Sequence, residues 1–273
     1  MAQKIIKTIF TFLLCFTFTI YVLPVQVMAF GPSDDTLYEG IDVSSYQGEI
    51  DFEKVKADGI EIVYIKATEG TYYVNPYLES SYQKAKENEI KVGLYHYVTA
   101  RTVEQARREA QFFVSKASGK NLDCKLAMDF ETFGNLTRTE INQIGLAFLQ
   151  EVERLSGKQA ILYSNAYTAS NIWDGETTAY PLWVADYGVE SPTNSGTWKS
   201  WAGWQYTDRG EVNGINTYVD RDKFTKEVFL DETSIVPPME EPDDEATNPT
   251  PAKTKRITIK CGDTLSSLAR EHN

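Results

Sequence analysis

The amino-acid sequence predicts an α/β protein, a β/α barrel that lacks some of its helices. Three observations carry this expectation. About eight short β-rich runs alternate with helical patterns along the middle of the chain. The block that holds them, residues 39–230, is about 190 residues long, which is short for a barrel that ordinarily takes ~250. The last two runs are separated only by the turn-like stretch Asp208–Gly214, so the barrel should end in an antiparallel piece.

The strand candidates, in order, are 40–44, 60–67, 90–97, 124–131, 159–164, 181–186, 202–206 and 215–220. Each is rich in β-branched or aromatic residues. Helices are clearest in the centre. Thr102 and Gln105 form a capping-box pair, followed by Val103, Ala106, Ala110, Phe113 and Val114 on one face. Thr137 and Glu140 repeat the device ahead of Ile141, Ile144, Phe148, Val152 and Leu155. A weaker helical pattern covers 75–88.

The flanks differ in character. Lys4 and Lys7, an apolar stretch from Ile9 to Leu23, and the small residue Ala29 form the tripartite pattern of a signal peptide over 1–29, with cleavage expected before Phe30. Residues 231–254 are rich in acid, Pro and Thr and read as a linker that cannot bury a core. Residues 255–273 are patterned again. The formal net charge of −12 becomes −14 once Lys4 and Lys7 leave with the leader. This argues against nucleic acid or an anionic membrane as partner. Cys124 and Cys261 fall in different segments, so no structural disulfide is expected.

Elimination narrows the chemistry. The chain has two histidines, His96 and His272, and only His96 lies in the central block. A zinc amidase or an HExxH peptidase needs at least two there, so no metal or other cofactor is expected. No GxSxG elbow is present, and Cys124 lies in an apolar strand where a buried, inert thiol is the commoner state. Carboxylates remain. Asp129 and Glu131 close the apolar run Leu126–Met128, and residues two apart on a strand share a face, ~6.5–7 Å apart. Glycoside hydrolysis needs two such groups, one protonating the leaving oxygen and one stabilising the cationic sugar. Two like charges this close also raise the pKa of one of them. Asp42 interrupts the first strand and Asp220 ends the last candidate. First and last strands of a closed barrel are neighbours, so these acids should meet at one rim.

Aromatic residues cluster near the same strand ends: Tyr64, Tyr95, Tyr97, Tyr163, Trp183, Tyr187, Trp204 and Tyr206. Their flat faces suit sugar C–H surfaces, although core packing would account for several. His96 reads as a hydrogen-bonded, site-shaping residue rather than a catalyst.

The segments GIDVSSYQG, IKATEG, GLYHYV, AMDFE, ILYSN, LWVADYG and WQYTDRGEVNGINTYVDRDKF together resemble the family 25 glycoside hydrolases, the Chalaropsis-type lysozymes, over about residues 39–225. The resemblance implies a flattened, incomplete (β/α) TIM-like barrel. It also implies a lysozyme, an N-acetylmuramidase that cuts the β-1,4 bond between N-acetylmuramic acid and N-acetylglucosamine in peptidoglycan. Glu131 matches the general acid, Asp129 its partner, and Asp42 and Asp220 the supporting acids. The substrate-binding candidates are Tyr64, Tyr95, Tyr163, Trp183, Asp186, Trp204 and Gln205. The expected enzyme is secreted, associated with the cell wall, monomeric, and has peptidoglycan glycan strands as its partner. The tail Ile257–Asn273 resembles the first half of a LysM module, which binds N-acetylglucosamine. A non-catalytic wall-binding protein is the alternative from another class. A chitinase-like barrel is a second enzyme reading, but the residues ahead of Asp129 lack the DxxDxDxE spacing.

Overall fold

A computed structural model describes residues 30–193 and 196–231. The signal-peptide, LysM-like and linker expectations, apart from Asp231, lie outside the described residues.

Eight strands form the barrel. They are β1 Tyr38–Val43, β2 Ile62–Glu69, β3 Lys91–Tyr97, β4 Leu126–Asp129, β5 Ala160–Asn165, β6 Leu182–Ala185, β7 Gly203–Gly210 and β8 Val219–Phe224. The helices are α1 Phe52–Ala57, α2 Leu78–Glu87, α3 Val103–Ala117, α4 Arg138–Ser156 and α5 Ala166–Asn171. Neighbours from β1 to β7 pair in parallel, and β8 runs antiparallel to both β7 and β1. Pairing of β1 with both β2 and β8 closes the sheet. Among the described residues no helix is assigned between β6 and β7 or between β7 and β8, which is how so short a block still closes. A two-residue strand, Tyr73–Val74, folds back on the end of β2, and Gly31–Pro32 pairs with Ser200–Trp201.

The reversal of β8 decides the site. In a parallel barrel the C-terminal strand ends share one face, where barrel enzymes carry their chemistry. A strand running the other way brings its beginning to that face. Asp220, second in β8, therefore lies at the mouth with Asp42 near the end of β1.

The core has two layers. Inside the barrel are Ile62, Tyr64, Ala127, Ile161, Trp183 and Phe224, with the buried thiol of Cys124. Tyr64 packs 4.7 Å from Trp183 and 5.4 Å from Phe224, ring centre to ring centre. Glycines make room for these rings: a Cβ on Gly93 would fall 2.3 Å from the Tyr64 ring, and one on Gly203 2.7 Å from Trp183. The second layer lies between barrel and helices. There His96 stacks 5.1 Å from Phe148 and packs 5.5 Å from Phe113, joining α3 and α4 to β3.

Sequence and structure differ at several elements. The last strand is 219–224 rather than 215–220. Its core is Asp220-Arg221-Asp222-Lys223, so charge masks a strand whose buried positions hold Val219, Asp222 and Phe224. Helices α1 and α5 have six residues each, too short for a periodic signal. The Thr137–Glu140 capping box forms in full. At α3, Thr102 accepts from the Gln105 N–H as expected, but the Gln105 side chain accepts from Arg101 N instead of closing the box.

Candidate active site

Strand β4 ends at Asp129, and Glu131 lies just past it. Between them Phe130 is fully buried against Phe133 and Trp173, which leaves the two acids on the opposite side of the chain. Asp129 is buried; Glu131 is exposed. Burial chiefly, then the neighbouring Glu131, hold the Asp129 carboxyl well above the usual carboxylate range. Its Oδ1 is buried and without a partner.

Across the barrel, Asp42 and Asp220 are direct partners in the β1–β8 ladder. Burial and the neighbouring Asp220 raise Asp42 well above the usual range. Asp220 is raised to about 6, by burial first and then by Asp208 and Glu131. Mutual electrostatic effects tie Asp42 to Glu131 and to Asp129, so the four acids form one cluster at the mouth.

Gln205 organises one side of it. Its Nε2 donates to Asp42 Oδ2 at 2.6 Å. Its Oε1 accepts from the hydroxyls of Tyr163, at 2.9 Å, and Tyr187, at 2.5 Å. A buried amide with both ends engaged fixes the orientation of Asp42. Tyr95 and Tyr163 both lie within the field of Asp42, Asp129 and Glu131, and burial raises both phenols well above 10.

Among the remaining substrate-binding candidates, Tyr64 and Trp183 require correction. Tyr64, at 0% exposure, is a barrel plug whose hydroxyl donates to the Lys125 carbonyl. Trp183 is 2% exposed and donates from Nε1 to Asp222 Oδ1 inside the barrel. Neither ring can stack on a sugar. Trp204 alternates with Gln205 along β7 and packs outside the barrel with Trp201 and Tyr206. The Asp186 carboxylate accepts from Thr193 N and Oγ1 and ties down its own loop. His96 does not reach solvent. It is wholly buried beneath α3, bonded to Thr68 and Glu109.

Sequence reasoning missed three features. Tyr46, Tyr72, Tyr167 and Tyr218 are 45–74% exposed, and each lies beside the mouth end of a strand. Their hydrophilic surroundings hid them among ordinary loop residues. A trough of about 830 Å³ between Tyr46, Tyr218 and loop 211–217 adjoins this rim. The third feature is Lys66, a part-buried cation in the IKATEG segment, 2.7 Å from Glu69.

A closed barrel with a reversed last strand and paired acids at its mouth is the architecture of a barrel glycosidase. The chain belongs to glycosyl hydrolases family 25, whose profile matches residues 41–215. It is 37% identical over 211 residues to the autolytic lysozyme of Clostridium acetobutylicum, covering 76% of this chain and 61% of that one. It is 32% identical over 210 residues to lysozyme M1 of Streptomyces globisporus, covering 71% and 70% respectively. The lysozyme structure from Streptomyces coelicolor superposes with a TM-score of 0.62 at 30% identity, covering 70% of this chain and 94% of that one.

Proposed function

We propose that this protein is a lysozyme, an N-acetylmuramidase hydrolysing the β-1,4 bond between N-acetylmuramic acid and N-acetylglucosamine in peptidoglycan. The observation that carries the reading is the Asp129–Glu131 pair: one buried carboxyl bearing an unpartnered oxygen, beside one exposed carboxyl. Relatives named as lysozymes support the substrate class.

The roles follow from placement. Glu131, reaching solvent, protonates the glycosidic oxygen of a strand lying across the mouth. Asp129 turns its free oxygen toward the sugar. There it orients the substrate's N-acetyl group or stabilises the positive charge developing at the anomeric carbon. Asp42, held by Gln205, and Asp220 maintain the negative field around this pair. Tyr95 and Tyr163 wall the same space, and the exposed tyrosines offer stacking faces to sugars on either side. The protein acts outside the cell on the wall, after loss of residues 1–29. The acidic linker 231–254 separates the catalytic block 39–230 from the LysM-like tail 255–273. The enzyme works as a monomer.

Clearing of a purified cell-wall suspension tests the reading. The protein should lower turbidity and release soluble saccharides, and Glu131→Gln should do neither while still sedimenting with the walls. Binding by the parent protein without release of saccharide would instead mark a wall-binding protein.

A further inference from the structure

We propose that the trough between Tyr46, Tyr218 and loop 211–217 binds the peptide stem of the substrate, with Glu211 receiving the amine of the stem's diamino acid. The inference rests on the lysozyme reading, which makes peptidoglycan the substrate. At about 830 Å³ the trough is wide enough for a short peptide. It opens at the rim, where Tyr218 stands two residues ahead of Asp220 and Tyr46 lies in the turn after β1. Its lining comes from that turn, from Asp58 and from residues 211–218, not from the barrel lumen. It runs down the outer flank, because the loop packs on α1. Asp51 N donates to Gly214 O at 3.0 Å, and a Cβ on Gly214, whose φ is +98°, would fall 2.4 Å from the Asp51 carbonyl. Asn213 donates from N and Nδ2 to the two Asp58 carboxylate oxygens, at 3.2 and 2.7 Å. At the rim the buried Gln47 accepts from Ser44 N at 2.8 Å and donates to Tyr218 O at 3.2 Å. Walls pinned in this way lower the ordering cost of binding.

This placement separates the trough from the path of the glycan. A saccharide lying across the mouth cannot also turn down the outside of α1, but a branch can. In peptidoglycan the branch is the peptide on N-acetylmuramic acid, with a carboxylate at its second residue and, where not cross-linked, a free amine on its third. The charges of the trough run in the same order. At the rim, the Arg209 guanidinium lies 5.1 Å from the Tyr218 ring centre. Beyond it, Glu211 and Asp58 line the trough. Asp58 is engaged by Asn213, so the exposed Glu211 is the carboxylate presented to a ligand. An extended peptide advances ~3.3–3.6 Å per residue, which carries its third residue about 10 Å from the sugar. The exposed Asn216 offers a side-chain amide, which pairs with either peptide N–H or C=O. A neutral sugar would use neither Arg209 nor Glu211.

The test titrates the full chain with the soluble tripeptide alanyl-γ-glutamyl-lysine, acetylated at its N-terminus so that the lysine carries its one amine. Binding is read by calorimetry and by backbone amide NMR shifts. The shifts should concentrate in residues 211–218. Glu211→Gln should weaken binding by up to about fivefold. Acetylating the lysine amine should weaken binding to the parent equally and add nothing to the loss in Glu211→Gln. In turnover, stripping the stems from wall glycan should lower kcat/KM of the parent more than that of Glu211→Gln, and the two proteins should cut stripped glycan alike. Absence of tripeptide binding, binding that leaves 211–218 unshifted, or equal binding by parent and Glu211→Gln would overturn the proposal. So would shifts in the loop produced by tri-N-acetylchitotriose instead of the tripeptide. The binding arms need no turnover, so a parent that held the tripeptide but failed to cut would count against the lysozyme reading alone.

Discussion

Asp42 and Asp220 face each other across the seam where the first and last strands close the barrel, and only the antiparallel course of β8 brings them to the same end. With its carboxyl raised to about 6, Asp220 ionises well above the usual carboxylate range. Its charge, added as pH rises through that value, favours retention of the proton by the nearby pair. Asp220→Asn removes that charge. The alkaline limb of kcat/KM should therefore move to lower pH, with little change below pH 5. An alkaline limb unchanged or displaced upward would contradict this placement.

In the proposed mechanism, replacing Glu131 gives the largest effect. Glu131→Gln keeps shape and hydrogen bonding but cannot deliver a proton, and activity should fall by about 10²–10⁴-fold. Asp129→Asn should be comparably severe, because the proposed partner of Glu131 loses its carboxyl. Circular dichroism and wall binding should be unchanged in both. Near-parental rates in either would remove that residue from the chemistry.

Gln205 is the hinge of the polar network. Gln205→Glu keeps the acceptor for Tyr163 and Tyr187 but replaces the 2.6 Å amide–carboxylate bond to Asp42 with two facing acids. At low pH one proton can bridge them; at high pH they repel. Activity should be retained best on the acidic side and lost steeply toward neutrality. A parallel-shifted profile of unchanged shape would show that Asp42 is oriented by something else.

Much of this arrangement was legible in the sequence, for stated reasons. The acids stood out because each interrupts or ends an apolar strand, and closure of the barrel told which strands would meet. The aromatics were harder. A tyrosine in a strand looks alike whether it faces the lumen floor, like Tyr64, or the mouth, like Tyr163. The deciding information is the height along the barrel axis, which depends on strand stagger rather than residue type. Trp204 and Gln205 are adjacent yet face opposite ways, so a one-residue choice of face decided that assignment. Tyr46, Tyr72 and Tyr218 lie in loops and Tyr167 in the six-residue α5, where no periodicity marks them.

Buried acids also shape stability. Asp42, Asp129, Asp220 and Asp222 all have raised carboxyls, with burial as the first cause. For an acid raised in the folded state, the stabilising contribution is complete below the unfolded value, ~3.9, and lost as pH rises through the folded one. For Asp220 that window ends near 6. Asp123, held below the usual range by Lys86 and the Val92 N–H despite its burial, acts in the opposite sense and loses its contribution at low pH. The melting temperature should therefore be higher near pH 5 than at pH 8. Asp222→Asn, which leaves an acceptor for Trp183 Nε1, should reduce the difference by raising the value at pH 8. A melting temperature that climbs from pH 5 to 8 would contradict these assignments.

The barrel floor gives a packing test. A Cβ at Gly93 would stand 2.3 Å from the Tyr64 ring, which is itself held by Trp183 and Phe224. Gly93→Ala should cost roughly 1–3 kcal/mol by overpacking. Gly119, whose position is open, should tolerate the added methyl sterically, although its backbone φ of 77° carries strain. Denaturant unfolding of Gly93→Ala, with a midpoint equal to that of the parent, would show that the ring can move aside.

The most direct measurement identifies the bond that is cut. Purified peptidoglycan is digested with the full chain, reduced with borohydride, hydrolysed, and the sugar alcohols are separated. An enzyme that protonates the bond following N-acetylmuramic acid leaves that sugar at the new reducing end, so the alcohol should be muramitol, absent from the Glu131→Gln digest. Glucosaminitol in its place, or no new reducing end at all, would contradict the assignment of this barrel mouth as an N-acetylmuramidase site.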